Sequence, residues 1–307
     1  MIIDPVLYER IRKKKAELDA RRPLPLAVLE KLRGQFAIEL AYNSNAIEGN
    51  SLTLRETKLV IEEGITIRGK PLREHFEAIN HQKAFHLLEE VVQHKGPISE
   101  QIILNLHKLI LTGINDTYAG RYRDINVRII GAVKSPPRFE KVEREMGRFA
   151  EFLAANPDRL DPVELAAVAH YKLVEIHPFA DGNGRTARLL MNLLLMRHGY
   201  PVTLILRADR KAYYDRLRQA DLGNAAPFVN FIGRAVEHSL NLYLDAFRKG
   251  SGYLPISEAV QHSPYSQEYI SLLARRGLLD AIKVGRNWHI TEEALRRYIA
   301  GHPKKKK

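Results

Sequence analysis

The sequence predicts a mainly α-helical protein with one short β-hairpin in its helical body and a small separate module at its C-terminus. Three observations carry that reading. Apolar residues recur at helical spacing along most of the 307 residues. Helix-start signals precede several of these stretches. The pattern breaks at only two places, a β-branched segment from Val127 to Val133 and a glycine-rich linker from Lys249 to Gly252.

The elements follow in chain order. In region 1–95, Leu26, Val28, Leu29 and Leu32 share a helical face, as do Leu59, Val60 and Ile61, and later Ala84, Phe85, Leu87, Leu88 and Val91. Thr53-Leu54-Arg55-Glu56 has the form of a capping box, in which the hydroxyl takes a first-turn amide and the glutamate reaches back. Region 96–248 forms the core. It holds the extended segment Val127-Arg128-Ile129-Ile130-Gly131-Ala132-Val133, closed by Ser135-Pro136-Pro137, which predicts a short hairpin. Asp161-Pro162-Val163-Glu164 is a second capping box with proline at the first helical position, opening a helix that runs towards Ile176. Gly199-Tyr200-Pro201 stops the helix before it. After the linker, region 249–303 reads helix, turn, helix, short hairpin, helix, and Lys304 to Lys307 form a basic tail.

Composition narrows the chemistry. Hydrophobic residues at 45% and charged residues at 27% are ordinary for a chain with a packed interior. The chain has no cysteine, so disulfides, zinc–thiolate sites and thiol nucleophiles are excluded. Met1-Ile2-Ile3-Asp4-Pro5 lacks the form of a secretory signal, and the longest apolar run, Leu189 to Met196, falls well short of the ~20 residues of a membrane span. A soluble cytoplasmic protein without membrane partners is the expectation. The formal charge of +12 favours anionic partners, such as nucleotides, nucleic acid or acidic proteins.

The densest chemistry lies in His177-Pro178-Phe179-Ala180-Asp181-Gly182-Asn183-Gly184-Arg185-Thr186-Ala187-Arg188, a loop whose far end opens a helix. Gly182 and Gly184 let the backbone approach a ligand closely. Amides of such a turn, backed by a helix N-terminus, attract phosphate. Arg185 and Arg188 are three apart and share a helical face, with forked donors suited to phosphate. Asp181 is a hard oxygen ligand of the kind Mg²⁺ takes when phosphates supply the rest. His177 can accept a proton near neutral pH. Singly, each has a plainer explanation as a turn, cap or core residue. Two arginines opening a helix oppose its dipole, however, which suits a site awaiting an anion.

At every defined position this stretch resembles the motif of the Fic family, His-x-Phe-x-(Asp/Glu)-Gly-Asn-Gly-Arg-x-x-Arg. The resemblance extends from about Ala41 to Ala246 and includes Gly120-Arg121-Tyr122-Arg123 and Lys211-Ala212-Tyr213-Tyr214. It implies a Fic-type helical core with a β-hairpin flap and protein adenylyltransferase activity with ATP and Mg²⁺. His177 would be the general base on a Ser, Thr or Tyr hydroxyl of a target protein, and Asp181 would hold the metal. Gly182, Asn183 and Gly184 would stabilise the α-phosphoryl group, while Arg185 and Arg188 would hold the outer phosphates. Ile129, Ile130, Gly131, Ala132 and Val133 would form the flap that pairs with an extended target segment. Tyr213, Tyr214 and Asp221 lie where relatives contact adenosine. Relatives frequently carry Asn at the place of Asp221, which leaves nucleotide selectivity open.

A second motif, Ser44-Asn45-Ala46-Ile47-Glu48-Gly49, stands apart. On spacing alone it is a helix end bearing a surface glutamate. It resembles the inhibitory helix of Fic proteins, (Ser/Thr)-x-x-x-Glu-(Gly/Asn). By that resemblance Glu48 would pair with Arg188 and block the γ-phosphate. In some relatives this glutamate instead helps water remove AMP, and the sequence leaves brake and reverse catalyst both open.

Region 249–303 resembles the winged helix-turn-helix of excisionase and MerR-type modules, with Ala281 to Val284 and Trp288 to Ile290 as the wing. That implies DNA contacts by Tyr265, Gln267, Arg275 and Arg286, with a protein-docking module as the plainer alternative. Two further readings stand beside the adenylyltransferase. One is a DNA-binding regulator with a nucleotide-sensing core, and the other a relative that transfers UMP, phosphate or phosphocholine. No residue reads out the oligomeric state, and a homodimer stays among the expected partners.

Overall fold

Helix α1 (Pro5–Asp19) starts where Asp4 accepts the Leu7 amide and Pro5 fills the first helical position. Four further helices lead to the core: α2 (Leu26–Ile47), α3 (Leu54–Glu63), α4 (Leu72–Gln93) and α5 (Glu100–Leu111). The core continues with α6 (Val142–Ala155), α7 (Pro162–Ile176), α8 (Asn183–Arg197), α9 (Arg210–Asp221) and α10 (Ala226–Phe247). Beyond it come β1 (Tyr253–Pro255), α11 (Ile256–Ala259), α12 (Gln267–Arg275), β2 (Ala281–Val284), β3 (Asn287–Thr291) and α13 (Glu292–Gly301). This computed structural model describes residues 2–24, 26–94, 96–129, 131–247, 253–284 and 287–301. They divide into two units, Met1–Ser239 and Leu240–Lys307.

Both predicted capping boxes form. Thr53 accepts the Glu56 amide at 3.2 Å while Glu56 accepts the Thr53 amide at 2.7 Å, which starts α3, and Gly64 ends it at φ 66°. Asp161 and Glu164 do the same at the start of α7, with Pro162 at the first position. Glu164 also accepts the amides of Ile2 and Ile3 and so pins the chain's start to the core. Each such cap stabilises its helix by ~1 kcal/mol.

The first unit is built around α8. Residues Arg185 to Leu195 are buried on every side of that helix, which is the signature of a central helix rather than a surface one. Helices α7, α4, α5 and α2 pack around it. One of its two buried asparagines ties in a distant segment. Asn192 donates to Thr203 O at 3.0 Å and accepts from Thr203 N at 2.7 Å, tying in the segment after Gly199. The loop that begins at His177 is therefore clamped between the two most deeply buried helices of the fold.

Two expectations need correction. No strand forms among the described residues of 127–137; Ile129, Gly131, Ala132 and Val133 make a loop whose turn is closed by Ala132 N donating to Ile129 O at 3.3 Å. An isolated two-stranded hairpin is marginal without a partner surface, and this segment has β-branched composition but no third strand. Ile130 lies outside the described residues. The inhibitory motif's helix also stops earlier than its spacing implies: α2 ends at Ile47, and Glu48 and Gly49 form a turn with Gly49 at φ 109°.

The second unit contains the only sheet among the described residues, an antiparallel one in the order β1-β3-β2. Strands β2 and β3 are the hairpin expected from sequence; β1, which pairs Leu254 with Ile290, was not expected. Ile256, Ile270, Leu273, Leu279, Ile290 and Leu295 form its core. Ser266 caps α12 by accepting the Tyr269 amide, and Thr291 caps α13 by accepting the Ala294 amide at 3.1 Å. Among the described residues no helix is long and apolar enough to cross a membrane.

Candidate active site

His177 closes α7 in the left-handed conformation, at φ 50° and ψ 57°, its amide donating to Leu173 O at 3.0 Å. For a residue with a Cβ this costs roughly 1–2 kcal/mol, so something must hold it. Arg123 does. Its Nε donates to His177 O at 2.8 Å, its backbone N–H to Pro178 O at 2.9 Å, and its Nη1 to Ile125 O at 2.9 Å. Its Nη2 donates to Pro137 O, so one buried guanidinium ties the histidine to both ends of the loop before α6. Burial lowers the His177 pKa to about 4, so the imidazole is neutral at pH 7, with one ring nitrogen unprotonated.

The loop after His177 is stiffened by groups that pair across the fold. The Phe179 ring is fully buried and stacks on His107 at 3.6 Å between centroids. His107 accepts the Gly120 amide at Nδ1 (3.1 Å), which leaves Nε2 to donate to Asp181 O at 3.0 Å. Burial lowers the His107 pKa to about 4, in keeping with that neutral tautomer. Gly182 follows at φ 79°, and a Cβ there would press on His107 and Ile110 at 3.3 Å. The Asn183 side chain accepts from Phe179 N at 3.0 Å and donates to Phe179 O at 2.8 Å. This amide thereby closes the loop.

Helix α8 begins at Asn183, six residues after His177, and the amides of its first turn have no partner within the helix. Both motif arginines are buried, and each is already paired. Arg188 donates from Nη2 to Glu48 Oε1 at 2.8 Å and to Ser44 O at 2.8 Å, and from Nε to Ser44 Oγ at 2.9 Å. Its Nη1 reaches Tyr213 Oη at 3.4 Å, which in turn contacts His170 Nε2 at 3.2 Å. Burial works against the Arg188 charge, but Glu48 and its neighbours outweigh it and raise the pKa. Gly184 makes the pair possible: a Cβ there would fall 2.3 Å from Glu48 Oε1. The predicted Ser44–Glu48–Arg188 constellation is therefore assembled.

Arg185 belongs to a second cluster. It lies 3.1 Å from Glu77 Oε1 and 3.3 Å from Asp181 Oδ1, yet its Nε and Nη1 have no hydrogen-bond acceptor. Charge rather than geometry holds it, with donors to spare. Asp181 Oδ1 also accepts the Gly182 amide at 2.6 Å, and Oδ2 accepts from Arg73 Nη2 at 2.6 Å. Burial pushes the Asp181 pKa up, but Arg185, that amide and Arg73 together lower it, so the group is a carboxylate. Among the described residues no cluster of three or more acidic or histidine ligands could hold a metal alone.

The three adenosine candidates separate. Tyr213 is buried in the core against His170, Phe228 and Phe231, so it cannot stack on a base and instead orients Arg188. Tyr214 is 38% exposed, with its Oη 3.4 Å from Glu48 Oε2 and its ring beneath Arg210. Asp221 Oδ2 accepts the Val133 amide at 3.3 Å, placing it beside the flap. In the second unit Tyr265 packs on the unit's own core and stacks on Tyr269 at 5.2 Å, so it is not a free groove contact. Gln267 and Arg275 are exposed, and Arg286 lies outside the described residues. His107, Arg123, Arg73 and Glu77 were not singled out from sequence as site residues. A lone histidine or arginine at helical spacing looks like core or surface until its distant partner is known.

The Fic/DOC family matches residues 97–195. A protein adenylyltransferase Fic from Nematostella vectensis is 42% identical over 205 residues, covering 66% of this chain and 48% of that protein. The chain thus spans about half the length of the curated relatives it matches. A segment of Fic-1 from C. elegans superposes with a TM-score of 0.73 at 34% identity, covering 80% of this chain and 74% of that one. A Fic domain containing signaling protein from Bacteroides thetaiotaomicron gives a TM-score of 0.71 at 32% identity, covering 77% of this chain and 96% of that one.

Proposed function

The chain belongs to the Fic family, and from that premise we propose that it is an autoinhibited protein adenylyltransferase. It transfers AMP from ATP to a Ser, Thr or Tyr hydroxyl of a target protein. His177, neutral at pH 7, takes the hydroxyl proton as the oxygen attacks the α-phosphorus. The new bond joins that oxygen to phosphorus, the bond to the bridging oxygen breaks, and pyrophosphate leaves. The first-turn amides of α8 receive the α-phosphoryl charge, and Arg185 and Arg188 hold the outer phosphates. Magnesium enters with ATP as part of the substrate. Asp181, ionised and half exposed, offers it a carboxylate oxygen, which fits an ion that takes one or two carboxylates plus phosphates.

The observation that carries the autoinhibited reading is the 2.8 Å pair between Glu48 and the buried Arg188. An arginine fully engaged by Ser44, Glu48 and Tyr213 is not free to hold a γ-phosphate. Charged hydrogen bonds of this kind are worth about 1.5–3 kcal/mol, so Glu48→Gly raises labelled-ATP transfer by at least about ten-fold. Adding His177→Ala to that variant returns it to background, since a general base contributes roughly 10²–10⁴-fold. Intact-mass analysis with ATP, UTP and CDP-choline reads the donor. An inactive Glu48→Gly protein, or label from a donor other than ATP, overturns the respective part of the reading.

A second role is supported by the C-terminal unit, which has its own core and presents Gln267 and Arg275 on α12. We read it as a winged helix-turn-helix that binds DNA. Duplex binding by the full chain, weakened by salt and by Gln267→Ala with Arg275→Ala, tests this, and salt-independent binding counts against it.

A further inference from the structure

Arg73, on the first turn of α4, has no place in the chemistry described so far, yet it makes one of the shortest ion pairs in the site. Its Nη2 lies 2.6 Å from Asp181 Oδ2, and its Nε lies 3.2 Å from Glu77 Oε1. The two oxygens of Asp181 are not equivalent. Oδ1 is consumed by the fold: the Gly182 amide and Arg185 Nη2 both donate to it, at 2.6 and 3.3 Å. Oδ2 accepts instead from Arg73, whose side chain is 56% exposed. Asp181 itself is 48% exposed, so the pair sits at the rim of the site. A divalent cation arriving with a nucleotide takes one or two carboxylate oxygens at ~2.0–2.1 Å, and Oδ2 is the Asp181 oxygen not tied to the Gly182 amide and Arg185. A guanidinium and a dication on that oxygen repel each other, so the two compete for it. Arg73 has somewhere to go, because it already holds Glu77, which in turn faces Arg185 and accepts from Asn50 at 2.9 Å.

We propose that Arg73 is a specificity-determining residue that occupies the metal position on Asp181 at rest and biases the site against metal-bound nucleotide. The metal–ATP complex enters by displacing Arg73 onto Glu77, whereas metal-free ATP leaves the Arg73–Asp181 pair intact. This rests on the assignment of Asp181 to the metal in the proposed function. It is distinct from the Glu48 brake, which acts on Arg188.

The test is equilibrium binding of ATP to the Glu48→Gly/His177→Ala protein, in which turnover is blocked, with either EDTA or MgCl₂. The affinity ratio, magnesium over EDTA, is compared with that after Arg73→Gln. Exposed ion pairs of this kind correspond to about a two- to five-fold change. The Arg73→Gln ratio is expected to rise by that factor, with a thermal melt confirming a folded protein, and Asp181→Asn added on top is expected to erase the rise. An unchanged or lower ratio overturns the proposal. So does a rise that survives Asp181→Asn, because Arg73 would then act through general charge. Asp181→Asn alone separates the two readings. If it leaves the magnesium effect intact in the parent, the metal assignment fails. If it abolishes that effect while Arg73→Gln changes nothing, only the Arg73 proposal fails.

Discussion

At the scale of single residues, the geometry at His177 hangs on buried side chains outside the 177–188 loop. Arg123 is the sharpest case: three guanidinium nitrogens and its own amide hold His177, Pro178, Ile125 and Pro137. It also offsets the left-handed strain at His177. Arg123→Gln keeps a polar group of limited reach and should lose two or more of these bonds, each worth about 1.5–3 kcal/mol when charged. The expected outcome, in the Glu48→Gly background, is a lower melting temperature and at least a ten-fold fall in kcat with little change in nucleotide affinity. An unchanged kcat would mean that His177 holds its position without this anchor. This residue also marks the limit of what sequence could tell. The span His177 to Arg188 was legible because its chemistry is contiguous. Arg123 and His107 were not, because their value lies in meeting His177, Gly120 and Asp181 across the fold. Tyr213 misled for the opposite reason: a tyrosine next to a nucleotide motif suggested stacking, but burial turned it into a support for Arg188.

At the scale of elements, helices were readable wherever a cap announced them, and α3 and α7 begin where Thr53 and Asp161 predict. The flap was not readable in the same way. Its β-branched residues promised strands, but strand formation depends on a partner that local sequence does not contain. What the structure provides is a latch. Val133 N donates to Asp221 Oδ2 at 3.3 Å, Lys134 Nζ to Glu175 Oε1 at 2.8 Å, and Tyr171 Oη bridges Glu175 at 3.0 Å and Asp221 at 3.3 Å. Segment 133–134 is thereby tied to both α7 and α9. Asp221 thus has a mechanical reason to be there, separate from any contact with a base. If the latch is its main role, Asp221→Ala combined with Lys134→Ala raises KM for the protein target several-fold and leaves the affinity for ATP within about two-fold. A loss of ATP affinity with unchanged target KM would return Asp221 to the adenosine pocket. Steady-state kinetics with each substrate varied in turn distinguishes the two.

At the scale of the whole molecule, the first unit buries an unusual set of neutral imidazoles. Burial lowers the pKa of His81 and His170 to about 3, and of His107, His177 and His238 to about 4. Each sits below its ordinary value near 6.5, so between pH 6.5 and the folded value the unfolded chain binds a proton that the native state refuses. The stability each group contributes is complete above about pH 6.5 and is lost as pH falls towards 3 or 4. The slope for each is up to about 1.4 kcal/mol per pH unit. A chain that already carries a formal charge of +12 at pH 7 adds self-repulsion in the same direction. Denaturant midpoints should therefore drop steeply from pH 7 to pH 5. His81 offers a way to assign part of that slope. It is fully buried, neither ring nitrogen has a hydrogen-bond partner, and the charges of Arg188 and Arg185 press on it. Replacing it with leucine removes a desolvated polar group without breaking a hydrogen bond, so stability at pH 7 should hold or rise. Because leucine cannot be protonated in the unfolded chain, the variant's loss between pH 7 and pH 5 should be smaller than that of the parent by about 1–2 kcal/mol. Parallel stability curves for the two proteins across that range would show that His81 does not carry its share of the acid sensitivity.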